Sequence, residues 1–178
     1  CQFLEIAEIF AFWQVNTPTL ELIISHLKLR VKPEESLFDA FSGLGALGLA
    51  LAGSVQNVLC IEDNANAVAD GELNLHANAI ANAGFLCAKV EDALPALLNN
   101  SEGKSQPAPD VIILDPPRAG VRQPALEALK AARIPRIFYL SCSPITLHRD
   151  LKFLMEGGLY RLENLQPFDM FPHTWHVE

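Results

Sequence analysis

The sequence has no pair of cysteines at metal-ligand spacing. Cys1, Cys60, Cys87 and Cys142 are widely scattered, which argues against a zinc or iron–sulfur centre and for no metal in this segment. No apolar run is long enough to span a bilayer, so no membrane partner is expected. Positive charge is scarce: 13 Lys and Arg stand against 21 Asp and Glu, a net charge of −8. Surface charge alone would not hold a long polyanion. Local basic groups such as Arg118, Arg122, Arg149 and Lys152 are left to contact a few phosphates. What is present is apolar: half of the 178 residues, enough for one domain with a full core. Cys60 and Cys87 lie in apolar runs, as reduced core cysteines of a cytoplasmic protein do. The chain starts with Cys rather than Met. Residues 1–178 are therefore expected to be a single domain cut from a longer protein.

The most informative stretch is Ile137-Phe138-Tyr139-Leu140-Ser141-Cys142-Ser143-Pro144. Four apolar residues read as a buried strand, and Pro144 bars its continuation in a central ladder. A thiol at the carboxyl end of a strand sits where open α/β sheets place their ligands, so Cys142 is a candidate nucleophile. The bland reading is a small, packed, inert cysteine.

Along the chain, residues 3–15 are apolar and suit an edge hairpin or flap. Asn16-Thr17-Pro18 is a helix start, and Leu20, Ile23, Ile24 and Leu27 recur at helical spacing over 17–29. A strand over 36–41 runs into Ser42-Gly43-Leu44-Gly45-Ala46-Leu47-Gly48 and a helix through 52. Gly43 to Gly48 fits GxGxxG, and Glu62, after a strand over 58–61, falls near the distance of a ribose-binding acid. This order points to a nucleotide cofactor without separating a dinucleotide from another adenosine cofactor. Asn64 is expected to cap a helix to about 83. A strand over 85–90 then ends at Glu91-Asp92, and a helix over 93–98 leads to a surface loop over 99–109. The strand 110–114 runs into Asp115-Pro116-Pro117-Arg118, whose prolines fix where the Asp115 carboxylate points. Helices over 124–132 and 146–156 flank the Cys142 strand, and 159–169 reads as a sixth, extended segment. Alternating strands and helices with polar strand ends predict a Rossmann-like, doubly wound, mainly parallel α/β sheet.

Phe12-Trp13-Gln14-Val15-Asn16, Asp39-Ala40-Phe41-Ser42-Gly43-Leu44-Gly45, Asp115-Pro116-Pro117-Arg118, Ser141-Cys142-Ser143-Pro144-Ile145-Thr146-Leu147 and residues 169–178 come in one order. In that order they resemble the RNA uracil-C5 methyltransferases, which make 5-methyluridine in tRNA and rRNA with S-adenosylmethionine on the class I methyltransferase fold. The resemblance covers nearly the whole chain. It implies cofactor binding by Gln14, Phe41, Glu62 and Asp115 around the Gly43 and Gly45 turn. Glu62 would take the ribose hydroxyls, and Asp115 would sit between methyl donor and base. It further implies Cys142 as the nucleophile, Glu178 as the base that removes the C5 proton, and structured RNA as the partner. Three residues depart from the pattern: Ser42 where cysteine is frequent, Ala46 where a polar residue is, and Ser143 where asparagine is usual.

The chemistry explains the residue types. C5 of uracil is a poor nucleophile until a thiolate adds to C6 and makes an enolate. After methyl transfer a base must take the C5 proton before the cysteine leaves. His176 and Glu178 would project to one face of an extended segment, so both are geometrically possible bases; the resemblance favours Glu178. Metal binding by His173, His176 and Glu178 is disfavoured because Pro172 prevents a helical HxxH arrangement. A Cys–His hydrolase pairing Cys142 with His176 or His148 lacks an oxyanion-hole signature. His26 and His76 read as surface or satisfied histidines. A cofactor-binding remnant without turnover, motivated by Ala46 and Ser143, is the alternative of another class. A nicotinamide dehydrogenase would leave the Asp115 and Cys142 motifs unexplained.

Overall fold

The computed structural model describes residues 16–98 and 108–170. Asn16 caps α1 (Thr17–Lys28), its side-chain oxygen accepting the Thr19 amide at 3.2 Å, with Pro18 in the first turn. The helix buries Leu20, Ile23 and Leu27 along one face. There follow β1 (Ser36–Ala40), α2 (Ala46–Leu51) with a 3-10 turn at Ala52–Ser54, β2 (Asn57–Glu62), α3 (Ala65–Ala77) and β3 (Ala83–Cys87). The second half is α4 (Val90–Leu98), β4 (Val111–Leu114), α5 (Gln123–Ala132), β5 (Arg136–Tyr139) and α6 (Pro144–Met155).

Every strand pairing is parallel, in the order β3-β2-β1-β4-β5. Side chains alternate between two apolar layers, as the pleat requires. Phe38, Ala40, Ile61, Ile112 and Leu114 pack with α4, α5 and α6, whereas Leu37, Val58, Cys60, Val111 and Ile113 pack with α1 and α2. Helices on both faces make this the doubly wound sheet expected. β4 shows the consequence most clearly: none of its four residues retains any solvent exposure.

Several local expectations are corrected. The helix predicted to 83 stops at Ala77, because Asn78 bonds back to the Asn74 carbonyl at 2.9 Å and Ala79 is left-handed, φ 53°. The Asn82 side chain then donates to the carbonyls of Ala52, Val55 and Gln56, drawing the chain onto the sheet. The third strand thus begins at Ala83, not Phe85, and Gly84 pairs with Leu59 instead of ending a helix. Glu91 and Asp92 lie in the first turn of α4, where negative charge suits the helix dipole, and are not strand-end acids. Cys87 is exposed rather than in the core, since β3 is an edge strand.

β5 is half-buried, not buried, for the same reason, and it ends at Tyr139, leaving Leu140 to Cys142 in a loop. Residues 159–169 form no strand, so the described residues contain five strands and not six. Leu159, Leu162 and Leu165 recur at intervals of three, which cannot share one face of a strand, and all three are exposed. The expected flap over 3–15 and most of the expected loop over 99–109 lie outside the described residues.

Truncating Ile113, wholly buried in β4, removes contacts that this tight core cannot replace. Ile113→Ala is expected to lower stability by roughly 2–5 kcal/mol, read as a lower urea midpoint with an unchanged slope. A midpoint within error of wild type would contradict the central placement of β4.

Candidate active site

The winding reverses between β1 and β4: β2 and β3 lie on one side of β1, β4 and β5 on the other. At such a switch point the connections leave in opposite directions and open a crevice at the carboxyl ends of the strands. The predicted site residues that are described lie at these ends. Phe41, Gly43 and Gly45 follow β1, Glu62 ends β2, Asp115 follows β4 and Cys142 follows β5.

The turn after β1 is set by unusual backbone. Phe41 is left-handed at φ 64°, and Gly43 and Gly45 at φ 55° and 87°. The Phe41 and Ser42 amides both reach the Ile61 carbonyl, at 3.0 and 3.1 Å. One Glu62 carboxylate oxygen accepts the Gly43 amide at 2.9 Å and the other accepts the Asn64 amide at 2.9 Å. The acid and the glycine turn are therefore one unit, with the carboxylate aimed from both sides. Among the described residues, chain neighbours aside, no atom lies within 4 Å of the place a Cβ would take on Gly43.

Beneath the turn lies a buried polar group that the motif reading left without a role. Asp39 is 1% exposed, and its Oδ2 accepts the Gly48 amide at 2.8 Å. A Cβ on Gly48 would fall 2.8 Å from that oxygen and 2.9 Å from the Cys60 sulfur, so only glycine fits there. Among the described residues Asp39 Oδ1 has no hydrogen-bond partner. Burial raises the Asp39 carboxyl from 3.8 to about 7, against the lowering effect of the Gly48 amide, and the charges of Asp115 and Glu62 push it the same way as burial. Three carboxyl groups thus converge where β1, β2 and β4 end. Burial, with Asp39 beside it, also holds the Cys60 thiol well above its ordinary value, so this cysteine is an inert core residue as expected.

Cys142 is half-buried in a short loop. The loop is held by Ser141, whose hydroxyl accepts the Ser143 amide at 3.1 Å and lies 3.1 Å from the Ser143 carbonyl. It is tied to the Asp115 segment directly, since the Leu140 amide donates to the Leu114 carbonyl at 2.8 Å. Gln14 and Glu178 lie outside the described residues, as do His173 and His176. Their motifs nonetheless meet: the Asn16 side chain donates to the Met170 carbonyl at 3.0 Å, and the Thr19 hydroxyl to the Asp169 carbonyl at 3.2 Å. His26 stacks edge-on with Phe168, a packing role. Among the described residues no three His, Cys, Asp or Glu groups cluster as a metal site.

The family model for tRNA (uracil-5-)-methyltransferase matches residues 8–178. The chain belongs to this family. It is 42% identical over 169 residues to an uncharacterized RNA methyltransferase of Thermosynechococcus vestitus, covering 94% of this chain and 36% of that protein. A further uncharacterized RNA methyltransferase, from Enterococcus faecalis, is 38% identical over 170 residues, covering 94% of this chain and 36% of its own length. Among solved structures, the chain resembles the tRNA (uracil-54, C5)-methyltransferase of Pyrococcus abyssi in complex with S-adenosyl-L-homocysteine. That match has a TM-score of 0.78 and 30% identity, and covers 94% of this chain and 38% of the other. The family member described here thus spans little more than a third of the length of these relatives.

Because Asp39 binds its proton more tightly when folded, its contribution to stability is full below pH 4 and is lost as pH rises through 7. Asp39→Asn keeps an acceptor for the Gly48 amide and does not titrate. Urea denaturation at pH 4.5 and 8 is expected to show wild type losing a few kcal/mol relative to this variant. Parallel losses in the two proteins would refute the assignment.

Proposed function

We propose that this domain transfers a methyl group from S-adenosylmethionine to C5 of a uridine in structured RNA, tRNA or rRNA. The observation that carries the reading is the Leu140–Leu114 bond. It sets the Cys142 loop and the Asp115 segment side by side at the crevice that the glycine turn and Glu62 also border.

In this reading Glu62 accepts hydrogen bonds from the ribose hydroxyls through the lone pairs that its two backbone amides leave available. Phe41, Gly43 and Gly45 shape the turn against the cofactor, and Gln14 contributes from the segment before Asn16. The cofactor supplies an electrophilic methyl group. Asp115 lies between it and the base, close to where charge changes during transfer.

The Cys142 thiolate adds to C6 of the uracil, and the electron pair of the C5–C6 bond moves into the ring as an enolate. C5 then forms its bond to the methyl carbon as the methyl–sulfur bond breaks, leaving S-adenosylhomocysteine. Glu178 removes the C5 proton. The electrons of that C–H bond re-form C5–C6, and the sulfur–C6 bond breaks to return the Cys142 thiolate. The negative charge passes from thiolate to enolate and is cancelled against the sulfonium at methyl transfer; the Glu178 carboxylate then takes the C5 proton, and the negative charge it gives up leaves with the Cys142 thiolate. The RNA region that fixes the target uridine is expected to lie mainly outside this domain, because the net charge of −8 gives little general affinity for RNA.

Titration with S-adenosylhomocysteine by calorimetry, with NAD as control, tests the cofactor class. The expected result is saturable binding of S-adenosylhomocysteine only, weakened at least tenfold by Glu62→Ala, on the order of 1.4 kcal/mol. Binding of NAD alone would overturn the reading, and binding of neither would point to a degenerate site or to a domain that needs the rest of its chain.

A further inference from the structure

The first two turns of α6 reach across to the loop between β4 and α5. The Thr146 hydroxyl lies 3.2 Å from the carbonyl of Arg118 and 3.2 Å from that of Ser143, and shares its one proton between them. One turn on, Asp150 is fully buried. Its Oδ2 accepts the Val121 amide at 2.8 Å and the Tyr139 hydroxyl at 2.6 Å, and its Oδ1 accepts Arg149 Nε at 2.7 Å. Arg149 continues to the carbonyls of Ala119 and Val121, at 2.9 and 3.3 Å. Between them Gly120 is left-handed at φ 75°, and a Cβ there would fall 2.6 Å from both Arg149 Nη2 and Asp150 Oδ2 and 3.0 Å from Thr146 Cβ. The loop is pressed onto the helix at its one residue without a side chain.

These contacts join two segments that the sequence keeps apart. Tyr139 precedes the Cys142 loop, Ser143 follows the thiol, and Arg118 to Val121 continue from Asp115 and its two prolines. A buried carboxylate with three partners is costly to misplace, because each lost partner strands a desolvated charge. The three partners together favour the arrangement seen. Within that arrangement Thr146 bridges the backbone on both sides through a single hydroxyl.

We propose that Thr146 and Asp150 are positioning residues that hold the nucleophile loop at a fixed separation from the Asp115 loop, so that a base on Cys142 meets the methyl donor. This inference rests on the reading of Cys142 as the nucleophile. Neither side chain reacts; both act through the backbone they hold. The geometry of transfer is sensitive to displacements of about 1 Å, which are enough to slow a reaction ~100-fold. Losing one of several bonds should displace the loop by less than that.

The test uses Thr146→Val, which keeps the side-chain shape, and Thr146→Ser, which keeps the hydroxyl. Asp150 itself is a poor probe, since its loss endangers the fold. Single-turnover transfer of tritiated methyl would be measured in the full-length protein, with bulk RNA from a strain lacking its gene and Cys142→Ala as a control. The expected result is a rate lowered about tenfold in Thr146→Val, with melting temperature and S-adenosylhomocysteine affinity as in wild type, and recovery in Thr146→Ser. A wild-type rate in Thr146→Val beside an inactive Cys142→Ala overturns the positioning role alone. So does a Thr146→Ser as slow as the valine variant, or a valine variant that loses cofactor affinity or stability in step with rate. A Cys142→Ala protein that still methylates overturns both readings.

Discussion

The parallel pairing of β1 with β4 is the constraint on which the site depends. Phe38 opposite Ile112 and Ala40 opposite Leu114 place the two strand ends level. The chain then leaves β1 towards one side of the sheet and β4 towards the other. A crevice opens where they part. All four β4 residues are buried, Ile112 and Leu114 in one apolar layer and Val111 and Ile113 in the other.

The electrostatics of the crevice follow from that alignment. Asp39, Glu62 and Asp115 come from three neighbouring strands, and the charges of Asp115 and Glu62 disfavour ionisation of the buried Asp39. Glu62 accepts two backbone amides, and Asp39 keeps its proton up to about pH 7. A concentration of negative charge facing a crevice suits a ligand with a positive centre, and a sulfonium is one. The same charge would repel a phosphate chain.

The strand–turn–helix order, the glycine turn and the acid after β2 were legible in the sequence because each rests on local chemistry: a capping residue, a glycine, a run of apolar residues. The strand and helix edges around 77–92 were not. They are decided by Asn82 reaching three carbonyls on another connection, a tertiary contact that no local propensity encodes. Residues 159–169 misled because apolar residues among polar ones resemble alternation, although Leu159, Leu162 and Leu165 do not share a period of two. Asp39 and Asp150 carried a signal that could have been used. Each is an acid at a position its element otherwise reserves for apolar residues: one inside Leu37-Phe38-Asp39-Ala40, the other three residues after Leu147 and four before Leu154. An acid in a core position needs a partner, and both have backbone amides as partners.

The central claim is that Cys142 bonds to the ring of the target uridine. Full-length protein incubated with S-adenosylmethionine and RNA containing 5-fluorouridine would stall after methyl transfer, because fluorine at C5 cannot leave as a proton. Peptide mass spectrometry of the trapped complex is predicted to find a methylated fluorouridine joined to the peptide that holds Cys142. Methylation of ordinary RNA with no trapped peptide, or a trapped peptide that holds a different cysteine, would contradict the account.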